Sequence, residues 1–265
     1  MAFQPVNFRH LARFNSETSS RFMEEYNRIR TEKALEDASE PSSKTFAPSS
    51  FRCDRKCWFR LRGTVPDVPP SPDLGLDFRA DLGTACHEMI QKNLKSRLKT
   101  GESGIEWVEV EDYLNAINFG NTYEYTVERN GYETSVEVFK PYPIRFSVDG
   151  ILRINGKYYL LEIKTAEYSS FDNLTDPKEQ HVDQVKVYCA ILRLDSVIFM
   201  YQDRQNGDIK VYEETVNERD KAAVFQKMDA VIKAVETNLA PNRLPNRDDP
   251  WCRMCDYKKK CQQWG

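Results

Sequence analysis

Two carboxylates and a lysine flank a predicted tight turn near the middle of the chain. Asn155-Gly156 separates two strand-like segments, and this dipeptide is a strong signal for a two-residue hairpin. Asp149 precedes the turn by six residues and Glu162 follows it by six, so their side chains should lie close together across the hairpin. Lys164 lies two residues beyond Glu162 and therefore shares its face of the strand.

These side chains are of the type that binds a divalent cation. Carboxylate oxygens suit Mg²⁺ or Mn²⁺, which keep several waters and bind through one or two carboxylates. Such a cation would activate a water at a phosphodiester, while Lys164 would hold the water or stabilise the transition state. Ile163, between Glu162 and Lys164, should pack into the core. The alternative is a cross-strand salt bridge on a solvated sheet face, which is common.

Five of the seven cysteines form two tight groups, one at Cys53 and Cys57 and one at the end of the chain. An odd number of cysteines without a secretion signal argues against a disulfide framework. Cys252, Cys255 and Cys261 form a CxxC pair followed by a third cysteine, and one upstream cysteine would complete four thiolates. Four thiolates fit Zn²⁺ or a 4Fe–4S cluster equally well. The other two are expected to be small buried hydrophobic side chains, at Cys86 and Cys189.

The composition is that of a globular protein. Hydrophobic residues make up 40% of the 265 residues, enough for one large or two modest domains. The formal charge is −3, so any nucleic-acid site must be a local basic patch. No apolar run reaches the ~18 residues of a membrane span, and Met1 to Ser20 lacks the apolar stretch of a signal peptide. We therefore expect a cytoplasmic protein without membrane association, in the host cytoplasm if a virus encodes it.

Hydrophobic periodicity and turn signals predict helices and strands around these groups. Their order predicts an α/β or α+β fold with a central mixed sheet flanked by helices. The first helix should carry Phe22, Tyr26 and Ile29 on one side. The predicted helices are Ser20–Asp37, Pro48–Gly63, Phe78–Lys99, Lys178–Leu194 and Glu218–Leu239, and the predicted strands are Tyr132–Lys140, Ile144–Ile154, Lys157–Lys164, Ser196–Gln202 and Ile209–Thr215.

The order of the motifs resembles a known family. Asp149 followed by the Glu-Ile-Lys sequence of residues 162–164 is similar to the D…ExK motif of the PD-(D/E)xK nuclease superfamily. Two more motifs match its RecB-like branch: a GxxxH motif ends at His87 on the preceding predicted helix, and a QxxxY motif runs from Gln184 to Tyr188 on the following one. Each motif alone is weak, whereas the aspartate, the ExK sequence, GxxxH and QxxxY, four signals in this order and spacing, are specific.

The resemblance implies a restriction-endonuclease-like core and gives these residues roles. Gln184 and Tyr188, four residues apart on one helix face, would contact DNA or the active-site lysine, with ordinary helix packing as the alternative. Glu137 is a weaker candidate, since the family often has an acidic residue upstream of the aspartate. The implied metal ligands are Asp149, Glu162, the Ile163 carbonyl and His87, and the implied catalytic residues are Asp149, Glu162 and Lys164.

His87 also has a role without the resemblance. It shares a helical face with Ile90 and Leu94, so it should point inward. A single inward histidine is more often a hydrogen-bonded core residue than a ligand. A carboxylate site nearby makes a metal ligand the better interpretation.

The C-terminal cysteines resemble those of the iron–sulfur subgroup of this branch. That subgroup includes CRISPR-associated spacer-acquisition nucleases and the nuclease domain of the eukaryotic flap-processing helicase–nuclease. Its upstream cysteine stands in a C-P-R-x-x-W/Y context, which residues 53–58 (CDRKCW) match with Asp in place of Pro. The resemblance favours a 4Fe–4S cluster over Zn²⁺, joining the N- and C-terminal segments. Cys57 lies one helical turn from Cys53 and is the alternative ligand, although the resemblance favours Cys53.

Basic and aromatic residues near both cysteine segments predict a channel for single-stranded DNA, with phosphate neutralisation and base stacking. Arg55 is the DNA contact that we name among them. A solvated charged surface is the alternative. The basic residues are Arg52, Arg55, Lys56, Arg60, Arg62, Lys258, Lys259 and Lys260, and the aromatic ones are Phe51, Trp58, Phe59, Trp251 and Tyr257.

Together the resemblance implies a metal-dependent exonuclease on single-stranded DNA, with the 5′ end favoured. Flap or endonuclease activity is also compatible with the resemblance. The enzyme would act in DNA processing, repair or recombination. Residues 48–265 would form the nuclease domain and residues 1–47 a polar, partly helical extension. The alternatives are a CRISPR-adaptation nuclease that trims prespacers and a catalytically silent, cluster-bearing DNA-binding module. A homo-oligomer, or a recombination or replication partner, is compatible with the sequence.

Overall fold

A computed structural model describes residues 17–39, 42–67, 74–98, 103–245 and 249–264. The helices are α1 (Glu17–Ser39), α2 (Asp54–Leu61), α3 (Leu74–Arg97), α4 (Val110–Ala116), α5 (Tyr168–Asp172), α6 (Glu179–Leu192), α7 (Glu218–Glu236), α8 (Pro250–Arg253) and α9 (Lys258–Gln263). The strands are β1 (Ile105–Val108), β2 (Glu124–Asn130), β3 (Glu133–Lys140), β4 (Ile144–Val148), β5 (Gly150–Ile154), β6 (Lys157–Ala166), β7 (Ser196–Asp203) and β8 (Ile209–Thr215).

Five strands form the main sheet in the order β1-β5-β6-β7-β8. Strands β6 and β7 are parallel because α5 and α6 connect them, and the other neighbours are antiparallel. Helix α3 contacts β6, and α6 packs against α7. The prediction of an α/β fold with a mixed sheet flanked by helices is confirmed.

A smaller antiparallel sheet contains β2, β3 and β4. The predicted strand Ile144–Ile154 is wrong as one unit, since it divides at Asp149 into β4, which pairs with β3, and β5, which pairs with β6. The hydrophobic pattern runs through this break because both halves are buried. The elements β1, α4 and β2 were not predicted.

The hairpin between β5 and β6 has the predicted register. Ile154 is opposite Lys157, and Gly150 is opposite Leu161. Extended by one residue, the same register places Asp149 opposite Glu162. Asn155 and Gly156 have φ values of 50° and 83°. Two consecutive positive φ values are typical of the type I′ turn that an Asn-Gly pair favours.

Helix α1 contains the predicted helix Ser20–Asp37 and lies against α3. Its apolar side does not pack as the pattern suggests: Phe22, Tyr26 and Ile29 are 68%, 49% and 52% exposed. No helix among the described residues is long and apolar enough to cross a membrane. Residues 1–16 of the predicted extension lie outside the described residues.

Candidate active site

Asp149 occupies the break between the two sheets, and both of its carboxylate oxygens have partners. The Ile163 backbone N–H donates to Oδ2 over 2.7 Å, and His87 Nδ1 lies 3.1 Å from Oδ1. Gly150, the residue after Asp149, must lack a side chain, because a Cβ there would come within 2.7 Å of the Trp107 ring. Strand β6 and helix α3 therefore fix the orientation of the Asp149 carboxylate together.

Glu162 is the most buried acidic side chain of the site, at 2% exposure. Lys164 Nζ lies 2.5 Å from its Oε1, so the two side chains form a close ion pair. Burial raises the pKa of Glu162, and the positive charge of Lys164 opposes this rise. A carboxylate in such surroundings gains strongly from an additional cation.

Lys164 is also held from the helix side. Its ammonium donates to Gln184 Oε1 over 3.2 Å, and Gln184 Nε2 donates to the Tyr188 hydroxyl over 2.7 Å. The four-residue spacing on α6 places both side chains on one face, as the sequence indicates. Burial raises the pKa of Tyr188, so the hydroxyl stays protonated.

Helix α3 contributes one side of the site. Burial lowers the pKa of His87, but the hydrogen bond and charge of Asp149 outweigh this effect and the pKa is raised. Gln91, one turn further along α3, donates from Nε2 to the Asp149 carbonyl over 2.8 Å. Gln91 was not predicted, although its spacing of four residues from His87 was a usable signal.

These side chains line one cleft, together with residues that sequence reasoning missed. Glu133 and Ser147 lie on its small-sheet side, and Arg79 lies on α3. Glu137, the weaker candidate that the resemblance suggested upstream of Asp149, does not line the cleft and is opposite Arg145 in the small sheet. The position of Glu133 depends on the pairing of β3 with β4, which no local pattern reveals.

The donors of the cleft fit a divalent metal ion. Among the residues placed by the structure, no three His, Cys, Asp or Glu side chains are grouped closely enough to hold a metal as they stand. The donor set nevertheless has the oxygen-rich chemistry of Mg²⁺ or Mn²⁺ sites, with Asp149, Glu162 and His87 side by side.

The second group of predicted ligands also comes together. One cavity is lined by Cys53, Cys252, Cys255 and Cys261, so the segment around Cys53 meets the C-terminal segment there. Cys57 lies outside the lining: it is fully buried, and its thiol donates to the Ser50 carbonyl over 3.4 Å. Burial raises the pKa of Cys57 to about 12.

The other two cysteines behave differently from each other. Cys189 is buried in the core as predicted, whereas Cys86 is partly exposed. Cys86 lies on α3, a helix whose apolar side chains Leu82 and Met89 are also exposed. The apolar spacing of α3 therefore overstated how much of this helix is buried.

Arg55 and the neighbouring aromatic residues are not on an open surface. Arg55 is 5% exposed and donates to the carbonyls of Pro241 and Cys261, over 2.6 and 3.4 Å. A guanidinium used in this way gives no support to a DNA contact. The predicted stacking surface is wrong for four of its aromatic residues, which are buried in the core: Phe51, Trp58, Phe59 and Tyr257.

Solved structures similar to this chain are distant in sequence. SSO0001 is 18% identical, covers 92% of this chain and 99% of its own, and has a TM-score of 0.51. The alkaline exonuclease LHK-Exo from Laribacter hongkongensis is 11% identical, with 79% and 94% covered and a TM-score of 0.43. Its complex with dAMP is 12% identical over the same shares, with a TM-score of 0.44.

No curated protein sequence matches the chain. The likeness to SSO0001 concerns the fold alone, given its low identity. The family comparison reaches further, because it spans residues 45–262 and so includes the cleft and the cysteine cavity. Over these residues the chain matches the PD-(D/E)XK nuclease superfamily, and it therefore belongs to that superfamily of nucleases.

Proposed function

We propose that this protein is a metal-dependent deoxyribonuclease that degrades single-stranded DNA from an end, with the 5′ end favoured. The observation that carries the proposal is the cleft in which Lys164 contacts Glu162 while Asp149 stands across the hairpin. Membership of the nuclease superfamily supports phosphodiester hydrolysis at this cleft. The preference for single strands and for the 5′ end comes from the resemblance of the motifs to the RecB-like branch.

In the proposed mechanism, a Mg²⁺ or Mn²⁺ ion would be held by Asp149, Glu162, the Ile163 carbonyl and His87. The bound cation would supply Lewis acidity and a water of lowered pKa. Asp149 enters the reaction already oriented, because its Oδ2 accepts the Ile163 N–H. Gln184 keeps the Lys164 ammonium in the cleft, where it donates to the attacking water or to the oxygens on which negative charge develops.

The test compares wild-type protein with Glu162→Gln and Glu162→Ala on single-stranded DNA labelled at the 5′ or 3′ end, with Mn²⁺, Mg²⁺ or chelator. We expect cleavage that needs the metal and falls by about 10²-fold or more in both variants, because a metal ligand is lost. Glu213→Gln, an exposed carboxylate of β8, is the matched control. Unchanged cleavage in both Glu162 variants would show that this site is wrongly assigned. No cleavage by wild type with any metal would favour a silent DNA-binding module.

We further propose that Cys53, Cys252, Cys255 and Cys261 hold a 4Fe–4S cluster. A single Zn²⁺ needs all four sulfurs about 2.3 Å from one point, whereas each thiolate of a cluster binds its own iron. The four thiols line one cavity, which is compatible with either centre. The resemblance of these cysteines to the iron–sulfur subgroup is what favours a cluster over Zn²⁺.

Anaerobic purification followed by iron, sulfide and zinc analysis tests the cluster. We expect about four irons and four sulfides per chain, with visible absorption. Cys53→Ser should lose the iron and Cys57→Ser should keep it. Zinc in place of iron would contradict the cluster. Loss of iron from the Cys57 variant, but not from the Cys53 variant, would reverse the choice of ligand.

A further inference from the structure

We infer that the Arg79 guanidinium binds a phosphate of the DNA strand next to the cleavage site. This inference rests on the proposed function and adds a substrate-positioning residue to it. Arg79 is an exposed side chain of α3 that lines the same cleft as Asp149, Glu162 and Lys164. Its helix position places it on the face of the site, since Gly83 and His87 follow at intervals of four residues.

The charges of the cleft require a further cation if a DNA strand is to enter. Three acidic residues line it, Glu133, Asp149 and Glu162, and a phosphate brought among them is repelled. One bound metal ion offsets part of this charge at the scissile phosphate. The flanking phosphates of the same strand need their own positive partner. Apart from His87, which we assign to the metal ion, the basic side chains that line the cleft are Lys164 and Arg79.

Arg79 is the one of these two that is available to a ligand. The Lys164 ammonium is already engaged by Glu162 and Gln184. Within the described residues, no carboxylate lies within 4.0 Å of the Arg79 guanidinium. A guanidinium binds phosphate oxygens through two parallel hydrogen bonds, so an unpaired arginine at this cleft is suited to a phosphodiester.

Arg204 connects the backbone at Arg79 by hydrogen bonds to strand β6, which carries Glu162 and Lys164. Arg204, which follows β7, donates from Nη1 to the Arg79 carbonyl over 3.3 Å. The backbone N–H of Arg204 donates to the carbonyl of Ala166, the last residue of β6, over 3.0 Å. The Arg204 side chain is only 13% exposed, which limits its movement. The spacing between Arg79 and the strand that carries Glu162 and Lys164 is therefore set by the fold.

The small side chains beside Arg79 leave room for a strand. Ala80 and Gly83 line the cleft, and a Cβ on Gly83 would meet only Thr165 Oγ1, at 3.6 Å. On α3 between Arg79 and His87, these small side chains therefore project little into the cleft. A nucleic-acid backbone lying along it would have one phosphate at the metal ligands and another at Arg79.

The experiment compares Arg79→Ala and Arg79→Lys with Arg97→Ala, an exposed arginine at the other end of α3 that does not line the cleft. Steady-state cleavage of a short single-stranded oligonucleotide gives KM and kcat. Metal-free binding at several salt concentrations gives the number of phosphates neutralised. Thermal melting confirms that each variant is folded.

We expect Arg79→Ala to raise KM about tenfold or more while kcat changes much less, as for a lost charged hydrogen bond. Its salt slope should fall by about 0.7, which corresponds to one phosphate of a single strand. Arg79→Lys should recover part of the KM, because it keeps the charge without the two-bond geometry.

The inference is overturned if Arg79→Ala matches Arg97→Ala in KM and salt slope. It is also overturned if Arg79→Ala lowers kcat alone, which would indicate a role in chemistry rather than in holding the strand. Absence of cleavage by wild-type protein would count against the proposed function instead. The metal-free binding measurement would then still decide whether Arg79 contacts the strand.

Discussion

At the scale of single residues, His181 shows how the surroundings of the site set a protonation state. Burial, together with the positive charges of Lys164 and Lys178, lowers the pKa of His181 to about 3. The Tyr201 hydroxyl accepts the Lys178 N–H and lies 2.7 Å from His181 Nδ1. The neutral imidazole is therefore held by a hydrogen bond between Nδ1 and the Tyr201 hydroxyl.

This pKa predicts how stability depends on pH. The unfolded chain binds a proton at His181 near its ordinary pKa of about 6.5, whereas the folded chain does so only near 3. The stabilisation is therefore complete above about pH 6.5 and is lost as the pH falls towards 3, with a slope of at most about 1.4 kcal/mol per pH unit. Urea unfolding between pH 4 and 7 should show a shallower slope for His181→Gln than for wild type. Equal slopes would contradict a neutral, buried His181.

The Tyr188 hydroxyl helps to hold the Gln184 amide that binds Lys164, the lysine that we propose to be catalytic. Because Gln184 donates from Nε2 to the Tyr188 hydroxyl, its Oε1 is left for Lys164. Tyr188→Phe keeps the ring against Phe146 and removes only the hydroxyl. We expect kcat to fall about fivefold with KM nearly unchanged, as for the loss of one hydrogen bond of about 1 kcal/mol.

A second tyrosine provides the control for this substitution. Tyr159→Phe, also beside the main sheet but outside the cleft lining, should leave kcat unchanged. A Tyr188→Phe enzyme with wild-type kcat would mean that the hydroxyl does not orient the amide. A raised KM would instead indicate contact between Tyr188 and the DNA strand.

At the scale of elements, the break between β4 and β5 depends on one close approach. A Cβ on Gly150 would lie 2.7 and 2.9 Å from two atoms of the Trp107 ring and 3.3 Å from Leu161. Gly150→Ala should therefore destabilise the protein by about 1–3 kcal/mol, the usual cost of overpacking. Because Asp149 is the preceding residue, the same change should also lower activity. Urea unfolding and cleavage assays of this variant check both effects.

Two further variants separate steric overlap from a general effect of alanine. Gly120→Ala is the matched control, since its Cβ would meet only Tyr125 at 3.7 Å. It should be nearly neutral. Trp107→Leu in the Gly150→Ala background should recover part of the stability by making room. If the double variant is no more stable than Gly150→Ala, contact with Trp107 is not the cause.

The sequence predicts those parts of the site that depend on local periodicity. The two-residue turn places Asp149 opposite Glu162, and the helical period puts Gln184 and Tyr188 on one face. These relations need only the covalent chain and one element each. The pairing of His87 with Asp149 also follows once the helix is assumed to lie on the sheet.

The remaining parts depend on contacts between distant segments, which no local pattern records. The division of Ile144–Ile154 arises because each half pairs with a different strand. Glu133 enters the cleft through the small sheet, and Arg55 is buried because it binds the carbonyl of Pro241, 186 residues away. Charge and aromatic content alone suggested a surface role for Arg55, since local sequence does not show which side chains tertiary packing buries.

At the scale of the whole molecule, two distant segments line the cysteine cavity, one around Cys53 and one at residues 252–261. Contacts that need no metal join these two segments. Lys56 pairs with Asp256 over 2.8 Å, and the Phe59 ring stacks on Tyr257 at 5.1 Å between centroids. Arg55 adds its hydrogen bond to the Cys261 carbonyl. These contacts support our proposal that residues 48–265 form one domain that includes both groups of cysteines.

A metal centre in the cysteine cavity should further stabilise the contact between these two segments. The site is absent from the unfolded chain, so the free energy of metal binding adds to the free energy of folding. We expect Cys255→Ser to lose its iron, to melt at least about 4 °C below wild type, and to be cleaved by protease within residues 249–264. Those residues contain α8 and α9, helices of four and six residues. Cys86→Ser, a partly exposed cysteine outside the cavity, is the control and should match wild type. Equal melting and equal proteolysis for the two variants would mean that the cavity carries no stabilising metal and that the protein contacts alone hold the ends together.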